Sequence, residues 1–215
     1  MRPTGQSIRP TPADATCHLR PVLTDGLSRA VRLPEGGRVC PPTVVWNVLL
    51  FAAAFARSVA AACAAVASAP SGQAVWDCLY ATHPKRRRTL ENRLLPALHA
   101  PLGKIQRSAR IAIDYHRIPY VGESNRDTTR ANEAGGTHTV HTDATAGVVA
   151  GTGRYTLGLT AVGETEPRTD VPTRLLDQVA ESGVTTRVVL RDKAFFSIAV
   201  MLLLQSRTRR SSSRR

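Results

Sequence analysis

Two aspartates hold the chemistry within reach of this sequence. Asp114 closes the strand-like run "ARIAID", and Asp192 closes a second, "TTRVVLRD". After Asp114 the pattern breaks into "YHRIPYVG", a stretch with Tyr115, His116, Pro119, Tyr120 and Gly122 that reads as a loop. A lone acid at a strand end serves as a turn residue, a helix cap or a metal ligand. Two acids at the ends of neighbouring strands repel each other, and a bound divalent cation relieves that repulsion. Two such cations, roughly 3.5 to 4 Å apart, activate a water or hydroxyl and stabilise the leaving oxygen in phosphodiester cleavage.

The elements between the two acids have to bring them together. "THTVHTDATAGVV" and "RYTLGLTAV" flank the glycine-containing turn "AGTG" and read as a hairpin. Tyr155, Leu157, Leu159 and Ala161 share one face of its second arm by alternation. "TDVPTRLLDQVAESG" reads as a helix, with Thr169 or Asp170 at its start, Pro172 in its first turn, Leu175, Leu176 and Val179 on one stripe, and Gly183 as its stop. A right-handed crossover through that helix sets the last strand parallel to the first and beside it, so that Asp114 and Asp192 meet at one sheet edge. Parity agrees: Ala112 and Asp114 share a face, as do Val188, Leu190 and Asp192.

"AIDYHRIPYVG", the "GGTHTVHTDATAGVV" and "RYTLGLTAV" hairpin, and "VVLRDKAFFS" together resemble insertion-sequence transposases of the DDE superfamily, close to the insertion-sequence-four group. The resemblance covers residues 43 to 204. It implies an α/β fold with a partial ribonuclease-H-like core, Asp114 and Asp192 as catalytic metal ligands, Mg2+ or Mn2+ as cofactor, and DNA transposition by metal-dependent strand cleavage and transfer. The family also needs a third acid, a Glu on a helix well downstream of the second Asp. No Asp or Glu follows Asp192, and Glu164 and Glu181 both precede it. The expectation is therefore a truncated, inactive transposase fragment. The rival expectations are a non-enzymatic basic DNA-binding remnant and a small membrane-associated protein.

A small helical module comes before this core. Residues 1–40, rich in proline and without sustained periodicity, read as an unstructured leader. The module occupies 41–104, the catalytic domain 105–206, and "RTRRSSSRR", 207–215, reads as a basic disordered tail. Within the module Thr43 can cap an alanine-rich helix through 44–69, and Ser71 can cap a second helix on which Val75, Trp76, Leu79 and Tyr80 form one apolar face. A third helix, "TLENRLLPALHAPL", carries Pro96 as a bend or stop. Between the second and third lies Lys85-Arg86-Arg87-Arg88, either a solvated turn or a contact for DNA phosphates.

Composition sets the outer bounds. Twenty-nine Lys and Arg against sixteen Asp and Glu give a formal charge of +13, which favours a polyanionic partner. The partners expected are DNA, as transposon ends and target, and a second copy of the chain, in the cytoplasm at the nucleoid. No membrane is expected, because the alanine-rich segment inserts weakly and Arg57 costs roughly 2.5 to 3.5 kcal/mol at mid-helix. Cys17, Cys40, Cys63 and Cys78 form no C-x-x-C pair and suit a reducing compartment. His138 and His141 face opposite sides of a strand and make a poor metal pair, His116 reads as a surface loop residue, and Phe195 and Phe196 read as core.

Overall fold

The computed structural model describes residues 12–34, 40–82, 87–99, 108–125, 127–150, 153–191, 195 and 197–212. The chain divides into two units, Met1–Lys85 and Arg86–Arg215.

In the second unit, alternation along β1 (Ser108–Pro119) decides the architecture. Ala109, Ile111 and Ile113 are buried on one face, so the intervening residues look the other way. β1 pairs antiparallel with β3 (Thr137–Ala150), from Ile111↔Val148 to Pro119↔Val140. On its other side it pairs in parallel with β5 (Thr185–Arg191), from Ser108↔Thr185 to Ile113↔Arg191. The far edge of β3 is shared by β2 (Thr129–Ala134), at its start, and β4 (Gly153–Val162), along the rest. The result is a mixed α/β unit, and the expected parallel pairing of last strand with first is present.

α6 (Asp170–Glu181) covers the buried face. Val171, Leu175, Leu176 and Val179 form its inward stripe and join Ile111, Ile113, Ala144, Ala146, Val148 and Leu157 in one core. Burying each large aliphatic side chain there contributes about 1.5 to 3 kcal/mol. The helix stops as the sequence implies, with Gly183 at φ +80°. Phe195, from the segment after β5, and Val200, from α7 (Ile198–Ser212), complete the core.

The outer edge of β4 is closed by side chains rather than by a strand. Glu91, from α5 (Arg87–His99), accepts from Thr160 Oγ1 at 2.9 Å and from Ala161 N–H at 2.5 Å, while His99 Nε2 lies 2.6 Å from the Leu157 carbonyl oxygen. Gln178 bonds both backbone groups of Leu159, and Arg174, ion-paired with Glu166, donates to the Ala161 carbonyl at 3.1 Å. An edge satisfied in this way is no longer a template for another chain.

Several expectations are corrected here. α5 clusters with the sheet, so the boundary between units falls at Lys85 instead of near 104. Pro96 lies inside α5 without ending it. β2 was not foreseen, because "TRANEA" has few strand-favouring residues; its pairing with β3 and the Gly135-Gly136 turn, φ +61° and +77°, define it instead. Tyr155, Leu157 and Leu159 do not behave as one face. The β3–β4 register shifts beside Ala146, leaving Leu157 fully buried while Tyr155 is 53% and Leu159 40% exposed. α7 runs through Ser212, so most of the tail read as disordered is helical.

The first unit is helical. The leader contains α1 (Pro12–Ala30), whose Asp25 and Arg29 pair at 2.6 Å one turn apart, and Val31 and Leu33 beyond it are buried. The alanine-rich segment forms two helices, α2 (Pro42–Ala54) and α3 (Val59–Ala65), with 112° between them and Ala56 at φ +49° in the break. Pro41 occupies the N-cap of α2, and Thr43 lies inside the helix. Among the described residues no single helix is long and apolar enough to cross a membrane; the bent pair α2 and α3 passes only when taken together. Ser58 caps α3 and Ser71 caps α4 (Gly72–Thr82), each accepting from a backbone N–H at 3.2 Å. Burial raises the thiol pKa of Cys63 and of Cys78, and charge on Cys40 raises both further.

Candidate functional site

Asp114 lies in the middle of β1 rather than at its end. Tyr115 to Pro119 continue the strand because β3 pairs with them as far as Val140. The described parallel register with β5 reaches Ile113↔Arg191, one residue before it. Its side chain is half-buried and points away from α6, on the face shared by Arg110, Ala112 and His116.

That face continues onto β3. Thr145 is the direct neighbour of Asp114 and Asp143 that of His116, and alternation adds His141. On β2, Arg130 pairs with Thr139 and joins the same side. Oxygen donors of Asp114, Asp143 and Thr145 thus lie within two residue steps across one strand pair, with the exposed guanidinium-bearing Arg110 and Arg130 on the same surface. His141 is oriented by a 3.0 Å contact from Nδ1 to the Asp127 carbonyl oxygen and by the Tyr120 ring, 4.6 Å away. His138 lies on the opposite side of β3, near Ala131 and Glu133, in agreement with its parity.

Asp192 lies outside the described residues, as do Lys85, Arg86 and Phe196. The residues on either side, Arg191 and Phe195, are described. Arg191 is in β5, and its Nη1 donates to the Phe195 carbonyl at 2.7 Å. The Phe195 ring is buried and stacks on Tyr115 with centroids 4.1 Å apart. Burial pushes the Tyr115 phenol above its ordinary pKa; Arg168, Arg117 and Arg174 oppose that rise and Glu166 adds to it. Arg87 and Arg88 open α5.

No protein-family model, curated protein or solved structure matches this chain.

The donor chemistry on the Asp114 face fits a hard divalent cation, which takes carboxylate and hydroxyl oxygens on rigid elements. Among the described residues no group of three His, Cys, Asp or Glu is arranged to hold a metal. Asp143 and Thr145 were missed as neighbours of Asp114, although the alternation in "HTDATAG" puts them on one face with His141. The cross-strand register that brings them to Asp114 leaves no local signature in the sequence.

Proposed function

We propose that the second unit is a ribonuclease-H-like transposase core in which Asp114 and Asp192 hold Mg2+ or Mn2+ against DNA. One observation supports this above the others: β5 runs parallel to β1 and pairs with it through Ile113↔Arg191. A register continued by one residue would set the second acid beside the first. The antiparallel strands β1, β3 and β4, then α6, then the parallel β5, follow the order that this reading expects.

In this arrangement Asp114 offers a carboxylate from a central strand that is held on both sides, a rigid platform for a ligand. Asp192 offers the second, following directly on Arg191, whose guanidinium donates to the Phe195 carbonyl. Arg110 and Arg130 supply positive charge for the phosphates. The bound cation supplies Lewis acidity to a phosphodiester and to the attacking water or hydroxyl.

Binding of Mn2+ followed by electron paramagnetic resonance tests the reading. Asp114→Asn and Asp192→Asn should each abolish the bound fraction while circular dichroism still shows a folded chain. Retention of Mn2+ by both variants would remove the cation site.

A second reading, a basic DNA-binding protein without chemistry, draws on the charge of +13. It expects DNA binding that is indifferent to metal and to both substitutions.

A further inference from the structure

The edges of the sheet are treated differently. On β4, Glu91 and Gln178 accept from backbone N–H groups and Arg174 donates to a carbonyl, so that edge is closed. The inner edge of β5 pairs with β1, but among the described residues no strand, loop or side chain bonds to its outer edge. A strand left in this way presents a row of unpaired N–H and C=O groups, and another extended backbone is what satisfies such a row along its length. Apolar side chains flank it. Val188 and Leu190, 40% and 45% exposed, lie on the Asp114 face, paired with Arg110 and Ala112. On the other face α7 packs against β5, sends Val200 into the core under α6, and leaves Ile198 and Leu202, one turn apart, in water. β2, at the opposite end of the sheet, is a poorer template, because its pairing is broken between Arg130 and Ala134 and it carries no large apolar residue.

The sequence of β5 is complementary to itself. A two-fold axis perpendicular to the sheet runs the strands of two copies antiparallel and keeps their helix-covered faces on one side. All seven residues of Thr185–Arg191 pair only when that axis passes through Val188, the middle one. Val188 then faces the partner's Val188, Thr186 the partner's Leu190, Arg187 the partner's Val189 and Thr185 the partner's Arg191. A shift of two residues either way sets Arg187 against the partner's Arg187 or the partner's Arg191. Like charges directly opposite one another are destabilising. The fullest register is therefore also the one without that repulsion, and it sets an apolar residue on the axis. The same axis brings the two copies of α7 alongside each other.

We propose that two copies of this chain join edge to edge through β5, antiparallel about Val188, so that one sheet runs through both. The contact requires neither DNA nor a cation, and it stands apart from the transposase reading. A seven-residue strand pair is about 24 Å long and makes a small interface, so dissociation is expected on the order of micromolar. Each copy carries +13, so salt should strengthen the dimer by screening the repulsion between them.

The test is sedimentation velocity on the full chain, without DNA and in EDTA, over a concentration series spanning the micromolar range at low and at high salt. The parent should show a reversible equilibrium of monomer and dimer that shifts to dimer with salt. Val188→Lys and Val188→Glu, at an exposed position, should each weaken the dimer at least about tenfold, because each sets two like charges together on the axis. An equimolar mixture of the two variants should restore dimer, since this register alone places residue 188 against itself. Hydrogen exchange on the parent needs no variant: amides within Thr185–Arg191 should gain protection as protein concentration rises, and those of β2 should not. A monomer at every concentration and salt would leave the edge to a strand of another protein and overturn the proposal. A dimer indifferent to both substitutions overturns it as well, by assigning the contact to another surface. So does a dimer lost in both variants and not recovered on mixing, which would remove the register centred on Val188.

Discussion

Arg191 reaches across three residues to Phe195, its Nη1 donating to the Phe195 carbonyl oxygen at 2.7 Å. The bond ties Arg191 of β5 to the residue whose buried ring stacks on Tyr115. Arg191→Met keeps most of the aliphatic stem and removes the donor. Supporting hydrogen bonds around a metal site are typically worth 10- to 100-fold in affinity. Mn2+ titration of Arg191→Met should therefore show affinity lower by about that factor, and an unchanged affinity would show that the bond does not position the second acid.

Gln178 completes the β4 edge in the manner of a strand. Leu159 N–H donates to its Oε1 at 3.0 Å, and its Nε2 donates to the Leu159 carbonyl at 3.2 Å. Gln178→Leu keeps the volume but leaves both backbone groups without these partners in a part-buried place, where the loss per group lies at or below the buried value of about 1 to 3 kcal/mol. Urea unfolding should show a loss of roughly 2 to 4 kcal/mol. Gly158→Ala should also destabilise, since a Cβ there would meet Gln178 Oε1 at 2.8 Å. Parent-like stability of the Leu variant would mean that water replaces the amide.

How far the sequence reveals this arrangement depends on whether the signal is local. The stripe of Leu175, Leu176 and Val179, the stop at Gly183 and the cap at Ser71 are written in neighbouring residues, and each stands in the structure as expected. Whatever depends on partners distant in sequence was not legible. β2 exists because β3 pairs with it, Asp114 is mid-strand because β3 pairs with β1 as far as Pro119, and Leu157 is buried through a register shift that its own alternation does not show. The opposition of Asp114 and Thr145 belongs to the same class. Trp76 and Tyr80 fit an apolar face by spacing alone, and only the position of the helix in its unit shows them turned outward.

Tyr115 makes stability depend on alkaline pH. Burial raises its pKa in the folded state above 10.0, the value for a free phenol. The neutral form is therefore favoured in the folded protein, and the resulting stability is fully present below about pH 10 and lost as pH rises through the folded-state value. Tyr115→Phe keeps the ring on Phe195 and removes the titration. Denaturation midpoints measured from pH 8 to 11 should fall more steeply above pH 10 for the parent than for the variant. Parallel curves would assign the alkaline loss to other groups.

DNA binding by the charge excess should be largely independent of sequence and steep in salt, because it acts through release of counterions from phosphates. Removing residues from Thr208 onward deletes Arg209, Arg210, Arg214 and Arg215. It spares Arg207, which pairs with Asp177 of α6 at 2.5 Å. The truncated chain should bind duplex DNA more weakly and with a shallower slope of affinity against salt, the slope falling by about 0.9 for each phosphate no longer neutralised. An unchanged slope would move the DNA-binding surface to the run at Lys85.

Strand cleavage is the sharpest test of the transposase reading, and this chain alone is expected not to perform it. Two aspartates can hold a cation, but the family resemblance calls for a third acid after Asp192, and the sequence has none there. A second cation held by fewer ligands leaves the attacking oxygen imperfectly aligned, and about 1 Å of misplacement can lower a rate on the order of a hundredfold. Ile198, 73% exposed, and Leu202, 61% exposed, leave apolar surface on α7 that favours self-association, so the assay belongs at low protein concentration. The purified chain is incubated with Mg2+ or Mn2+ and a DNA carrying a transposon end, with Asp192→Ala alongside. No nicking above the Asp192→Ala background is the expected result. Nicking that requires metal and disappears in Asp192→Ala would show that another group in this chain completes the site, with Asp143, on the same face as Asp114, the first residue to substitute.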